Sequence, residues 1–288
     1  MSLKASLKKQ YESTKEHINS SEPPSSINIS KIGIVARDYR DKESNGHSDF
    51  SQSFSGILSV LDRNGCDSVL FSPYTFIKRP DFDVTLPLNT LTNIRSIFVE
   101  EFMMDNCSRT NIESIVYFKD EDGWSNYQLG GPRFAKLKYT DSFEKTIIEP
   151  FKKEVAEQRI FGNCTMLLCG EINVIKYSKV NKAVHDKFEY LTTLNSNIDV
   201  FLNPIHDRIT RFEIKLKQKF LSENNRWVVS VWNKGKKDKN CKVRDGKEPS
   251  WRAFFNGQEK QIEFIQHEIS TNGHIEIGCL DLMSNKEI

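Results

Sequence analysis

Strand-like apolar segments and amphipathic helical segments alternate in two blocks along this chain, and hairpin-like strands lie between and after the blocks. Short apolar runs that end at turn residues are typical of buried strands, whereas apolar residues at every third or fourth position indicate helices. Such alternation favours a layered α/β fold. The pattern leaves two arrangements open: a four-layer α-β-β-α sandwich or a doubly wound sheet.

The first block predicts a β-α-β unit with a parallel pair of strands. Its strands fall at residues 29–35 and 67–71, and its helix at 48–64 is closed by Gly65, in the manner of a C′ glycine. The second block predicts strands at 165–169, 198–202 and 227–233 and helices at 182–194 and 210–224. The remaining predicted elements are strands at 94–98, 114–118, 260–268 and 274–280, strand pieces over 127–138 that are broken at Gly130-Gly131-Pro132, and a helix at 143–158 that Pro150 interrupts.

Residues 1–28 differ in composition from the rest of the chain. They are rich in Lys, Ser, Glu and Asn, and Pro23 and Pro24 would break any helix formed before them. We therefore predict an N-terminal extension at 1–28, followed by one domain at 29–288.

The charge and the cysteine usage narrow the classes of function. With 41 Lys and Arg against 39 Asp and Glu, the formal charge of +2 gives no electrostatic reason to expect a nucleic-acid or membrane partner. No apolar run is long enough to span a membrane, and the N-terminus lacks the apolar core of a secretory signal. The six cysteines form no CxxC pair, which favours reduced thiols in the cytoplasm. We expect no metal and no cofactor.

Cys169 is the candidate nucleophile. It ends the apolar run that begins at Thr165, where the backbone leaves the predicted sheet, and α/β folds expose reactive groups at such positions. The alternative is that the thiol packs as a small apolar side chain, as free cysteines commonly do.

Three sequence islands place Cys169 in a wider pattern. The first runs from Phe71 through Pro73 and Tyr74 to Ile77; the second holds Lys136 and the later Glu144; the third is Cys169-Gly-Glu171. In their order and separation these islands resemble the carbon–nitrogen hydrolase (nitrilase) superfamily, whose pattern is a Phe-Pro-Glu segment, a Lys-Leu-Lys-Pro-Thr segment with a later Glu, and Cys-x-Glu. The resemblance covers residues 29–283.

The resemblance implies a fold, an assembly and a chemistry. The fold is the four-layer α-β-β-α sandwich, which pairs through helices into a homodimer. The chemistry is cysteine-dependent hydrolysis of a small amide or nitrile through a thioester or thioimidate. Cys169 would attack, Lys136 would stabilise the tetrahedral anion, and Glu144 would be the best available base, while Tyr74 and Glu171 would contribute to binding.

Tyr74 departs from the pattern because it occupies the position of the family's first glutamate. A tyrosine, with an unperturbed pKa of about 10, is a poor base at neutral pH. Two functions follow from this departure. One is a working amidase or nitrile hydrolase whose base is a different carboxylate; Glu100 and Glu101 are further candidates beside Glu144 and Glu171. The other is a catalytically impaired protein of the same fold that binds a small ligand or a partner protein.

Other roles for the candidate residues stay open. Glu171 could instead be a loop carboxylate that pairs with a backbone amide or a lysine, and Lys136 could be a surface lysine if Lys138 points inward. His206 follows the strand end at Asn203-Pro204, and a Cys169–His206 pair would supply the base that Tyr74 denies.

Overall fold

The computed structural model of the chain describes residues 22–38, 49–78, 84–105, 108–134, 141–194, 197–206, 212–235, 249–265 and 275–284. Over these residues the chain is a mixed α/β structure with two large sheets and few helices. None of the helices in this described part is long and apolar enough to cross a membrane.

The strands and helices are numbered here in chain order. The strands are β1 (Lys31–Arg37), β2 (Ser68–Phe71), β3 (Phe76–Ile77), β4 (Ser96–Asp105), β5 (Ser108–Lys119), β6 (Trp124–Gly130), β7 (Ile160–Phe161), β8 (Cys164–Met166), β9 (Lys176–Ser178), β10 (Ala183–His185), β11 (Val200–Ile205), β12 (Trp227–Trp232), β13 (Trp251–Phe255), β14 (Gln258–Lys260), β15 (Glu263–Phe264) and β16 (Ile275–Asp281). The α-helices are α1 (Phe54–Arg63), α2 (Thr85–Leu88), α3 (Asp141–Gln158) and α4 (Phe212–Leu221), and two 3-10 helices span Cys169–Val174 and Leu191–Thr193.

The two large sheets share one plan, a parallel centre with antiparallel flanks. The first has the order β15-β16-β1-β2-β4-β5-β6, with β3 also beside β4, and β1, β2 and β4 run parallel. The second has the order β14-β13-β12-β11-β8-β7, and β8, β11 and β12 run parallel. The predicted β-α-β unit is confirmed, because α1 connects the parallel strands β1 and β2.

Three clusters of buried apolar side chains form most of the core. One contains residues from both large sheets, including Ile34 of β1 and Leu202 of β11. A second packs α1 and the segment around α2 against the first sheet, and a third packs α3 and α4 against the second sheet. Ile27 also lies in the cluster shared by the sheets and is 6% exposed.

Of the other three predicted helices, two agree with the structure and one does not. The helix predicted at 210–224 is confirmed as α4, and the one predicted at 143–158 is α3, which continues through Pro150. The helix predicted at 182–194 is wrong. Its first residues form β10, which pairs with β9 in a two-stranded hairpin, and the carboxylate of Asp186 accepts the N–H groups of Tyr190 and Leu191 at 2.9 and 2.7 Å. Those two hydrogen bonds hold the turn that leads into the short 3-10 helix at Leu191–Thr193.

Candidate functional site

Cys169, His206 and Tyr74 follow the carboxyl ends of parallel strands, and Glu100 lies beside His206 and Tyr74 on β4. Cys169 follows β8, His206 follows β11, and Tyr74 follows β2. Glu100 lies on β4 just past Phe98, the last residue of that strand that pairs with β2. Open α/β sheets form their ligand sites at this edge, because loops there leave side chains uncovered.

His206 connects the cysteine to a carboxylate. Its Nε2 lies 2.7 Å from Oε2 of Glu100, and its side chain is near enough to that of Cys169 for the two groups to interact electrostatically. Burial lowers the pKa of His206, but the charge of Glu100 and the contact with Cys169 outweigh burial and raise the pKa to about 10. The imidazole is therefore a cation at neutral pH, ion-paired to Glu100 and adjacent to the sulfur.

Glu100 is fixed by the chain that leaves β2. Its Oε2 accepts the backbone N–H of Tyr74 at 2.8 Å in addition to the histidine. Its own backbone N–H donates to Oγ1 of Thr75 at 2.9 Å, and its carbonyl accepts the N–H of Thr75 at 2.8 Å. Glu100 is 6% exposed, so the hydrogen bonds from Tyr74 and His206 replace the water that would otherwise solvate its carboxylate.

Tyr74 forms one side of the site. Its φ is 61°, a left-handed conformation that costs a non-glycine residue about 1–2 kcal/mol. The centroid of the Tyr74 ring lies 4.5 Å from that of the His206 ring. The guanidinium carbon of Arg109 lies 4.3 Å from the centroid of the Tyr74 ring. The side-chain amide of Asn233 donates to the carbonyl of Pro73 at 2.7 Å and so holds the turn before Tyr74.

Cys169 begins a 3-10 helix at the end of its strand segment. Its φ is 46°, again left-handed, and its carbonyl accepts the side-chain amide of Asn203 at 3.3 Å. Cys169 is half-buried, whereas Cys66, Cys164 and Cys279 are buried. Burial also raises the pKa of Cys164, so that thiol is inert, and Cys169 is the accessible thiol of these four.

Glu171 turns away from this group of residues. Its carboxylate is completely buried and accepts the backbone N–H groups of Arg133 and Leu168, both at 2.7 Å. It also forms an ion pair with Arg159 at 2.6 Å. Burial raises the pKa of Glu171, against the opposing effects of Arg159 and the two N–H groups. The contacts match the backbone-pairing alternative, with an arginine in place of the expected lysine.

Two sequence-predicted site residues fall where the structure gives no side chain. Lys136, like Lys138, lies outside the described residues, and Glu144 lies in α3 with its side chain undescribed. Their predicted roles stay predictions.

The sequence names His206 only as an alternative partner of Cys169 and Glu100 only as one of several candidate carboxylates. The available signal for His206 was its position directly after a strand end. No such signal marked Glu100, because its contact with His206 spans 106 residues and depends on strand order. Within the described ranges, no group of three or more His, Cys, Asp or Glu side chains has the arrangement of a metal site.

Comparisons with known proteins give neighbours by structure only. No protein-family profile and no curated protein sequence matches the chain. Structural neighbours are a carbon-nitrogen hydrolase from Helicobacter pylori and a double mutant of the amidase from Nesterenkonia sp. AN1 in complex with acrylamide, each 10% identical with a TM-score of 0.44. They cover 90% and 88% of this chain and 91% and 90% of their own. A glutamine-dependent NAD(+) synthetase from Cytophaga hutchinsonii, also 10% identical, has a TM-score of 0.47 over 89% of this chain and 43% of its own.

Proposed function

We propose that the chain is a cysteine-dependent hydrolase of small amides or nitriles, in which Cys169 is the nucleophile and His206 transfers protons. The observation that supports this proposal is that His206 pairs with Glu100 at 2.7 Å and also interacts with Cys169. A nucleophile, an acid–base group within hydrogen-bond reach and a third group that orients it are the components of covalent acyl transfer.

For an amide, the reaction would proceed as follows. The imidazolium of His206 stabilises the Cys169 thiolate, which forms a C–S bond with the carbonyl carbon. His206 then gives its proton to the leaving nitrogen as the C–N bond breaks, and ammonia or an amine departs. The neutral imidazole takes a proton from water, which attacks the thioester, and the C–S bond breaks to release the carboxylic acid.

Glu100 would supply the carboxylate that the sequence pattern places at Tyr74. It would act on His206, not directly on the substrate, by holding the ring and stabilising its cation. Lys136 as the group that stabilises the tetrahedral anion, and Glu144 as a second carboxylate beside the reacting centre, remain part of this proposal on the strength of the sequence resemblance alone.

The proposed fold is the four-layer α-β-β-α sandwich of the nitrilase type, pairing into a homodimer. It is supported by the two apolar clusters that pack helices on separate sheets, together with the cluster that the two sheets share.

A catalytically impaired ligand-binding or protein-interaction module is the second candidate function. It is favoured by the Tyr74 ring, which lies 4.5 Å from the His206 ring and occupies space beside the proposed acid–base group. In that case the thiol could still react with electrophiles, but the acyl-enzyme would not turn over.

An acyl-trapping experiment separates the two candidates. The protein would be incubated with a panel of small amides, nitriles and activated esters, and its intact mass and the released ammonia would be followed. Hydrolysis predicts turnover that Cys169→Ser and His206→Gln abolish and that Cys66→Ser, a change at a buried thiol, leaves intact. An acyl adduct that forms at Cys169 without turnover would favour the impaired module, and the absence of both would refute hydrolysis of these substrates.

A further inference from the structure

A network of four buried charges adjoins the turn that carries Cys169. Arg159 and Glu171 have side chains that are 1% and 0% exposed, and they pair at 2.6 Å. Arg159 also pairs with Glu154 at 2.5 Å, and Glu154 pairs with Arg133 at 2.5 Å. Two arginines and two glutamates balance in formal charge, which lets the group remain buried.

Within this network, Glu171 is the member that reaches the cysteine turn. Its Oε2 accepts the N–H of Leu168 at 2.7 Å, and its backbone N–H donates to the Leu168 carbonyl at 3.0 Å. This reciprocal pair closes the turn around Cys169, the residue with the left-handed φ of 46°. Left-handed non-glycine residues persist where the surrounding structure determines them.

We propose that Glu171 is a positioning residue that fixes the orientation of the Cys169 thiol toward His206 by holding the N–H of Leu168. It acts through the backbone and touches no reacting atom. The proposal rests on the proposed function only in that the thiol so oriented is the nucleophile of that reaction.

The chain provides a matched control for this role. Glu154 is a buried carboxylate of the same network and contacts the same two arginines, yet its side chain makes no described contact with residues 168–170. Removing Glu154 leaves the Arg133 and Arg159 side chains each short of one partner, and removing Glu171 leaves the Arg159 side chain and two backbone N–H groups short of one, so both changes should destabilise the fold. Only the loss of Glu171 should also release the cysteine turn.

The experiment measures the alkylation rate of Cys169 by iodoacetamide, quantified by peptide mass spectrometry from pH 6 to pH 9, at a temperature where circular dichroism shows each variant folded. Glu171→Met keeps a similar volume and removes both acceptor oxygens; it should slow alkylation at pH 7 on the order of ten-fold and change the shape of the pH profile. Glu154→Met should stay within about two-fold of the wild type. Glu171→Gln keeps one acceptor, which can still receive the Leu168 N–H, and should restore most of the rate.

Equal alkylation rates and pH profiles for Glu171→Met and Glu154→Met would overturn the proposal. If Glu171→Met does not fold, Glu171→Asp replaces it: the shorter side chain keeps the charge but withdraws the oxygens from Leu168, and a wild-type rate in that variant would equally overturn it. Alkylation needs no turnover, so a protein that hydrolyses none of the tested amides can still satisfy this test. Failure of the proposed function and failure of this inference are thereby distinguished.

Discussion

Substituting Glu100 by Gln tests the ionic state of the site directly. The change keeps the size of the side chain and removes the charge 2.7 Å from Nε2 of His206. That charge is the principal cause that raises the pKa of His206 from 6.5 to about 10, while burial opposes it. Without the carboxylate, burial still lowers the pKa of His206 and only Cys169 still raises it, so the pKa should fall toward its ordinary value of 6.5.

The expected magnitude follows from these pKa values. At pH 7.5 the wild-type imidazole is almost entirely cationic, whereas a histidine with a pKa of 6.5 is cationic in only about one molecule in ten. The thiolate that the cation stabilises should decline in parallel. We therefore expect Glu100→Gln to lower the rate of Cys169 alkylation by about ten-fold at pH 7.5.

The assay is the pH dependence of iodoacetamide alkylation at Cys169, followed by peptide mass spectrometry. The wild type should react faster than Glu100→Gln at pH 7.5, and the difference should shrink as the pH falls below 6, where the imidazole is cationic in both proteins. Glu101→Gln is the matched control: Glu101 is the next residue on β4, and its carboxylate accepts the hydroxyl of Tyr117 at 3.1 Å. Equal rates in Glu100→Gln and the wild type at pH 7.5, or the same loss of rate in Glu101→Gln, would refute the assignment of His206 as a cation held by Glu100.

The free energies of unfolding of the wild type and of Glu100→Gln provide a second measurement. Because the pKa of His206 is raised in the folded state, its contribution to stability is complete below pH 6.5 and is lost as the pH rises through about 10. The difference in free energy of unfolding between wild type and Glu100→Gln should therefore be largest near pH 6 and should shrink toward pH 10. Urea denaturation at several pH values measures it, and a difference that grows with pH would contradict the ion pair.

Three further predictions concern reactivity and the scaffold. Cys169→Ser should remove the fast-reacting thiol among the described cysteines, as measured by thiol titration of the native protein. Asp62→Asn should cost ~1–2 kcal/mol at pH 7. Burial raises the pKa of the Asp62 carboxyl, but hydrogen bonds from the backbone N–H groups of Ile94, Asn93 and Thr92 outweigh burial and lower it. The loss of stability in Asp62→Asn should therefore shrink in urea melts as the pH falls below 3.8 and through the lower pKa of the folded state. Gly162→Ala should cost well above 2 kcal/mol, since a Cβ there would meet the carbonyl oxygen of Ile27 at 1.7 Å, whereas Gly65→Ala, with a similar positive φ and open space, should cost about 1 kcal/mol in the same melts.

The sequence was sufficient where a segment's own pattern determined its structure. The amphipathic repeat that became α4 and the apolar runs that became β1, β2 and β12 needed no information about neighbours. The segment after Lys182 shows the limit. Val184, Phe188 and Leu191 have helical spacing and pack on the same apolar cluster, but they reach it from a hairpin and a 3-10 turn. The same side chains are buried, but by a hairpin and a 3-10 turn and not by a helix, and the spacing of apolar residues does not distinguish these backbones.

The residues of the candidate site also differ in whether a local pattern predicts them. Cys169 was predictable because its signal, an apolar strand that ends at a thiol, is local. Its partners were not, because the contact of His206 with Glu100 joins a residue after one sheet's strand to a residue on the other sheet's strand. Sequence supplies the residue types, but the pairing between sheets decides which carboxylate meets which histidine.

Tyr74 and Glu100 together explain how a carboxylate can be present although the sequence position expected to carry it holds a tyrosine. The left-handed backbone of Tyr74 directs its N–H to Oε2 of Glu100, and its ring packs beside the His206 that the same oxygen contacts. The residue that replaces the expected carboxylate is thus a donor to the carboxylate on β4. Because a buried carboxylate is stable only when donors satisfy it, Tyr74 and Glu100 are best understood as one unit, and the function of either depends on the other.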